Sequence, residues 1–301
     1  MEGGVTRRHF LGLISGAVTA VIVGGCSAEQ EAGQNPTVPA ASAAPATATR
    51  SEQPTTQPTQ HAEPTATPTT EPTASVVPAA AGVLIARPGT PPEVTEVSRG
   101  VQTLGLVAER DSLLHIPADY APDQPAAFVL LLHGAGGIAE HGLSLLQGLA
   151  DEHNLLLLAP ASRRQSWDMI HGGYGPDVTL IDQALEHVFT RYAVDPRRLA
   201  IGGFSDGASY ALSLGLTNGD LFTHIMAFSP GYMAPARQIG KPRIFISHGT
   251  HDEVLPIEAC SRKIVPRLEN AQYDVYYREF DGPHTVPPDI TQEALAWLST
   301  E

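Results

Sequence analysis

The sequence predicts an α/β fold, a three-layer αβα sandwich on a mostly parallel, doubly wound sheet without a cap domain, over residues 94–301. Three observations carry this expectation. Six short runs between residues 126 and 280 are mostly apolar at consecutive positions, as in strands covered on both faces. Segments with helical spacing lie between them, and strand–helix alternation puts helices on both faces of a parallel sheet. Residues capable of chemistry gather just after the strands, at the edge where such sheets build their sites.

The stretch "LGLVAERDSLLHIPA", Leu104–Ala118, reads as an antiparallel hairpin at one edge of the sheet. The strands are "AAFVLLLH" (Ala126–His133), "NLLLLAP" (Asn154–Pro160), "LAIGGF" (Leu199–Phe204), "HIMAFSP" (His224–Pro230), "RIFISHG" (Arg243–Gly249) and "DVYYREF" (Asp274–Phe280). Helices are expected at about 140–152, 176–192, 205–216, 256–270 and 288–298; in the second, Val178, Ile181, Leu185 and Val188 recur at helical spacing. The connection Pro230–Pro242 has 13 residues, enough for a loop but not for a cap.

Residues 1–26 have the makeup of an export signal. Arg7 and Arg8 precede the apolar stretch Phe10–Val23, which resembles a twin-arginine signal. The ending "VIVGGC" resembles the lipobox of bacterial lipoproteins, which makes Cys26 the lipidated first residue of the mature chain. Export and lipoprotein-processing machinery are then partners, and the chain is expected on the extracytoplasmic face of a bacterial membrane, held by its lipid anchor. Residues 27–93 read as a disordered Pro/Thr/Ala-rich linker. Between 31 and 82, 33 of 52 residues are Pro, Thr or Ala, and none is Leu, Ile, Phe, Trp or Tyr. Such a segment buries too little apolar surface to offset the entropy of ordering. Its reach lies between roughly 40 Å as a coil and roughly 160 Å extended.

The formal charge of −14 opposes phosphate backbones and argues against nucleic acid as a partner. Two cysteines make no disulfide framework, and Cys260 is expected as a small buried residue on a helix. No run of 18 apolar residues occurs outside the first 26, so no other segment is expected to span a membrane.

"GGFSDG" fits Gly-x-Ser-x-Gly at Gly203, Ser205 and Gly207, where a strand turns into a helix. Such a turn strains the serine backbone, requires small neighbours and presents the hydroxyl as a nucleophile beside the positive end of the helix. The hydroxyl needs a base, and the base needs an orienting carboxylate. His284 in "FDGPHTVPP" and Asp252 in "SHGTHDEVLP" supply them, with Asp281 and Glu253 as competing carboxylates. The order Ser205, Asp252, His284, with spacings of 47 and 32 residues, leaves room for one strand–helix unit each. His248 and His251 precede Asp252 and are read as supporting residues. A metal site from His248, His251, Asp252 and Glu253 has no HExxH-type pair behind it, and no cofactor is called for. "HGAGG", His133–Gly137, follows the first core strand. Its Ala135 N–H, or alternatively that of Gly136, is assigned to an oxyanion hole together with the Asp206 N–H. "SRRQSWDMIHGGYGPD", Ser162–Asp177, should border the pocket; its Trp167 either lines the acyl site or packs the loop down.

Residues from about 95 to 301 resemble the phospholipase/carboxylesterase branch of the α/β-hydrolases, and related secreted esterases of the feruloyl-esterase and polyhydroxybutyrate-depolymerase type. "LLHGAGG", "GGFSDGA", "HGTHDEVLP" and "FDGPH" each stand where that family has a functional segment. The resemblance implies a serine hydrolase of carboxylic esters working through an acyl-enzyme, with a small-molecule ester as substrate. A peptidase or amidase on the same fold, and a non-catalytic ligand-binding lipoprotein, are the competing readings. Asp206 departs from the family, which often carries a neutral residue there.

Overall fold

The computed structural model describes residues 82–89 and 97–300; Arg7, Arg8, Cys26 and most of the linker lie outside the described residues. The centre is set by chain that is apolar at every position. Ala126–Leu132 (β3) and Leu155–Ala159 (β4) are buried at every residue. Successive side chains of a strand point to opposite faces, so Phe128, Leu130 and Leu132 enter one core and Val129 and Leu131 the other. With Gly100–Thr103 (β1), Leu113–Ile116 (β2), Val194–Phe204 (β5), His224–Phe228 (β6), Arg243–Gly249 (β7) and Val275–Phe280 (β8), they form one sheet in the order β1-β2-β4-β3-β5-β6-β7-β8. β3 to β8 run parallel, and β1 and β2 add an antiparallel hairpin at the edge; its second strand lies in the expected stretch 104–118, while its first precedes that stretch.

Helices Ala139–Leu143 (α1), Gln147–Ala150 (α2) and Pro288–Leu298 (α6) cover one face. Pro176–Phe189 (α3), Asp206–Thr217 (α4) and Ser261–Asn270 (α5) cover the other. The single helix expected at 140–152 is therefore two short ones, in a segment where Gly142 and Gly148 lower helix propensity. The helix expected from 256 begins at Ser261, after a turn that starts at Pro256. Cys260 is buried, and burial pushes its thiol pKa up.

Every residue of α4 from Gly207 to Thr217 is buried, because strands lie beneath it and a loop lies over it. The fastening is a ladder of hydroxyls one helical turn apart. Ser209, Ser213 and Thr217 each donate to the carbonyl four residues back. They accept in turn from the N–H groups of Gly231, Ala234 and Ala236. The connection 229–242 is thus laid along α4 and contains no helix.

Part of the segment read as linker is instead packed on the domain. Leu84 is fully buried in the α3–α5 core. The buried Asn218 side chain accepts from the Leu84 N–H at 2.9 Å and donates to the Gly82 carbonyl at 2.8 Å. Asp182 takes the Ile85 and Ala86 N–H groups, and Arg87 pairs with Asp220 at 2.7 Å. Composition across 31–82 is blind to one leucine placed just beyond it.

His224, at the start of β6, is buried edge-on against the Trp297 ring, with centroids 5.1 Å apart. Burial, and next the Arg243 charge, push its pKa down to about 4, with Asp274 opposing. The unfolded chain then binds a proton that the folded one refuses, so stability falls as pH drops from 6.5 to about 4. Calorimetry across that window should show wild-type Tm falling more steeply than that of His224→Asn. Parallel Tm curves would remove this histidine from the acid response.

Candidate active site

β5 ends at Phe204 and α4 begins at Asp206, so the chain reverses at one residue. Ser205 has φ 58° and ψ −120°, a conformation disfavoured for an L residue. The approach of strand and helix explains the flanking glycines. A Cβ on Gly203 would lie 2.5 Å from the Gly207 backbone, and one on Gly207 would overlap the Leu132 carbonyl. The reversal is held by Ser205 N–H donating to Phe228 O at 3.0 Å and by Ser209 N–H donating to Ser205 O at 3.0 Å.

Asp252 follows β7 and His284 follows β8, and the fold brings them together. His284 Nδ1 lies 2.6 Å from Asp252 Oδ2. A carboxylate only accepts, so Nδ1 carries the hydrogen and Nε2 is the free basic atom. That Nε2 is buried and has no hydrogen-bond partner among the described residues. The ring packs on Phe204, the neighbour of Ser205, with centroids 4.6 Å apart. Asp252 Oδ1 accepts the N–H groups of Val254 (2.9 Å) and Leu255 (2.7 Å). Burial pushes the Asp252 pKa up, but hydrogen bonds from Leu255 N–H and His284 outweigh it and hold the carboxyl below its usual range. The competing carboxylates lie elsewhere: Asp281 pairs with His251 at the surface, and Glu253 is exposed.

The loop His133–Gly137 lies against Ser205, since a Cβ on Gly134 would sit 3.4 Å from Ser205 Cβ. The Ala135 N–H has no acceptor among the described residues, and the Asp206 N–H, first in α4, has none either. Gly136 donates its N–H to Gln165 O at 2.7 Å, which removes it as the alternative donor. The loop is braced from behind. His133 Nε2 accepts from Ser162 N–H at 3.0 Å, which leaves Nδ1–H to donate to Gly134 O at 2.7 Å. Arg110 donates to Ser162 O (2.6 Å) and Gly137 O (2.7 Å). Sequence reasoning missed Arg110 and Ser162, since nothing in their local pattern marks them. The Asp206 carboxylate accepts the Ser166 hydroxyl at 2.6 Å.

Trp167 packs the loop down and does not line a pocket. It is fully buried, stacks on Tyr210 with centroids 5.2 Å apart, and donates Nε1–H to His133 O at 2.9 Å. No residue of Ser162–Asp177 lines the cleft beside His284, although Gln165 and Ser166 of that loop hold Gly136 and Asp206. That cleft, of about 650 Å³, is walled by Leu145, Leu149, Phe204 and Val286, with Ala135 and His284 at its edge. Arg163 and Arg164 line a separate depression of about 330 Å³.

Residues 177–301 match the sequence profile of the phospholipase/carboxylesterase family. Probable feruloyl esterase C of Aspergillus oryzae is 25% identical over 160 residues, 50% of this chain and 58% of that protein. Acyl-protein thioesterase 1 of Eremothecium gossypii is 28% identical over 137 residues, 42% of this chain and 57% of that protein. The chain thus spans less than two thirds of the length of these curated relatives. The crystal structure of esterase PE8 superposes with a TM-score of 0.50 and 26% identity, over 62% of this chain and 97% of that one. The chain has the α/β-hydrolase fold, and in sequence and structure it is similar to hydrolases of the esterase type.

Proposed function

We propose that the domain is a serine hydrolase of carboxylic esters that works through an acyl-enzyme. One observation carries the reading. A strained serine at a helix N-terminus lies against a loop with a free N–H, in a site that also holds a histidine fixed by a buried carboxylate. Ser205 Oγ attacks the ester carbonyl carbon while its proton passes to His284 Nε2. The Ala135 and Asp206 N–H groups meet the charge that grows on the carbonyl oxygen. The bond to the alcohol breaks as His284 returns the proton to the leaving oxygen. Water then attacks the acyl carbon, again giving its proton to His284, and Ser205 leaves with that proton restored. Asp252 steadies the imidazolium formed in each half-reaction. A fluorophosphonate probe tests the reading: it should label Ser205, and paired ester and amide substrates then separate esterase from amidase. Failure to label would leave the non-catalytic binding reading standing.

The substrates we propose are soluble or short-chain esters. The connection after β6 is fastened to α4 and carries no helix, so no lid has to be displaced by a lipid surface. Initial rate against concentration of a short-chain ester, followed through its solubility limit with unlipidated protein, should saturate smoothly. A sharp upward break when droplets appear would show that a lid exists. Export on the twin-arginine signal and anchoring through Cys26 complete the proposal, resting on Arg7, Arg8 and the residues before Cys26.

A further inference from the structure

We infer that His248 is a positioning residue, a second imidazole on the carboxylate that orients His284; the inference rests on the esterase reading for its catalytic meaning. His248 ends β7 one residue before the strand stops, and it is fully buried. Its Nε2 lies 2.8 Å from Leu255 O and 3.2 Å from Asp252 Oδ2. Its Nδ1 lies 2.7 Å from Ser261 Oγ, at the first residue of α5. The tautomer follows from these partners. A carbonyl and a carboxylate both accept, so Nε2 carries the hydrogen; it donates to Leu255 O and stands in close contact with Asp252 Oδ2. Nδ1 is then bare and accepts the Ser261 hydroxyl hydrogen. Burial pushes the pKa of this ring down, which agrees with a neutral imidazole.

Asp252 thus has four groups around it. Oδ1 takes the Val254 and Leu255 N–H groups, Oδ2 takes His284, and His248 Nε2 stands 3.2 Å from Oδ2. The side chain is wholly buried, so each acceptor site left empty costs free energy that solvent cannot return. Two of the four groups belong to the loop that Asp252 itself caps. The His284 bond is the one that has to adjust as that ring gains and loses a proton. His248 is the remaining group, and Ser261 ties it to α5. It fixes the direction of the Oδ2 lone pair that meets His284 without touching substrate.

The test reads the Asp252–His284 hydrogen bond directly, in the full chain with isotopically labelled histidine. In wild type the Nδ1 proton of His284 should appear as a far-downfield resonance. His248→Leu should weaken or broaden it and slow fluorophosphonate labelling of Ser205 by about tenfold or more, the scale seen when a group orienting a ligand is removed. In ester turnover the loss should fall on kcat, with KM little changed. His248→Gln, which keeps a donor near the Nε2 position, should recover most of the resonance and the rate. If His248→Leu does not fold, Ser261→Ala reports instead, since freeing Nδ1 loosens the ring and should give a smaller loss of the same kind. A folded His248→Leu, or Ser261→Ala in its place, with resonance and labelling unchanged would overturn the inference. Wild type that shows the resonance, loses it in His248→Leu and never labels at Ser205 would instead overturn the esterase reading while supporting the role of His248 toward Asp252.

Discussion

Ser205→Ala will lower ester turnover by on the order of 10⁶-fold, to the level left by binding and oxyanion donors alone. The size of the effect follows from how the groups depend on one another. In the proposed mechanism His284 and Asp252 act on the acyl-enzyme that this hydroxyl forms, so they become idle when it is gone. The substitution removes one oxygen, and alanine keeps the backbone N–H that bonds Phe228 O. Folding should be unharmed: a Cβ is already present at this φ of 58°. Steady-state hydrolysis of a short-chain ester, with circular dichroism to verify folding, measures it. Residual turnover within a hundredfold of wild type would mean that another group is the nucleophile.

The second large effect is on stability. A chain that begins at Pro92 lacks residues 82–89, and with them Leu84 and two of the three partners of the Asn218 amide. Losing a fully buried leucine costs about 2–5 kcal/mol. A buried amide oxygen left without its donor adds about 1–3 kcal/mol. For a domain of this size each kcal/mol lowers Tm by about 2–4 °C, so a fall on the order of 10 °C or more is expected. Leu84→Ala and Asn218→Ala should each reproduce part of it in the full chain. Because the two residues touch through Gly82–Leu84, their effects should fall short of additive. Calorimetry of the shortened chain with unchanged Tm would show that the segment contributes nothing.

Most of the fold could be read from the sequence because its strands are covered on both faces. "AAFVLLL" and "LLLLA" leave no other reading, and the sheet edge then says where chemistry gathers. Ser205, Asp252 and His284 were legible because each sits in a short pattern at that edge, and the structure brings the last two into contact. What escaped is of another kind. Arg110 braces the loop His133–Gly137 through two carbonyls, and a contact to backbone leaves no trace in the identity of the residue contacted. Trp167 could be placed beside the site but not oriented, since one indole N–H and one stacking partner decide whether it faces in or out. Leu84 was lost in a tract whose average composition says disorder, although a single apolar side chain and one asparagine suffice to dock it. His248 was visible as a supporting residue, while its partner Ser261 lies 13 residues on and gives no local signal.

The hydroxyl ladder on α4 also bears on how this fold can diversify. Surface connections are ordinarily where a protein accepts new lengths of chain. Here Gly231, Ala234 and Ala236 are keyed to three buried hydroxyls, and Ile239 N–H is bonded to Leu216 O. A residue inserted between Gly231 and Ala236 shifts the register and takes from at least one hydroxyl the N–H it accepts. Descendants of this sequence can therefore change this connection by substitution, at exposed positions such as Tyr232, far more readily than by growth. A lineage that needed a covered site would have to acquire the cover from another connection, and the ancestry of such a lid would be written in where its insertion falls.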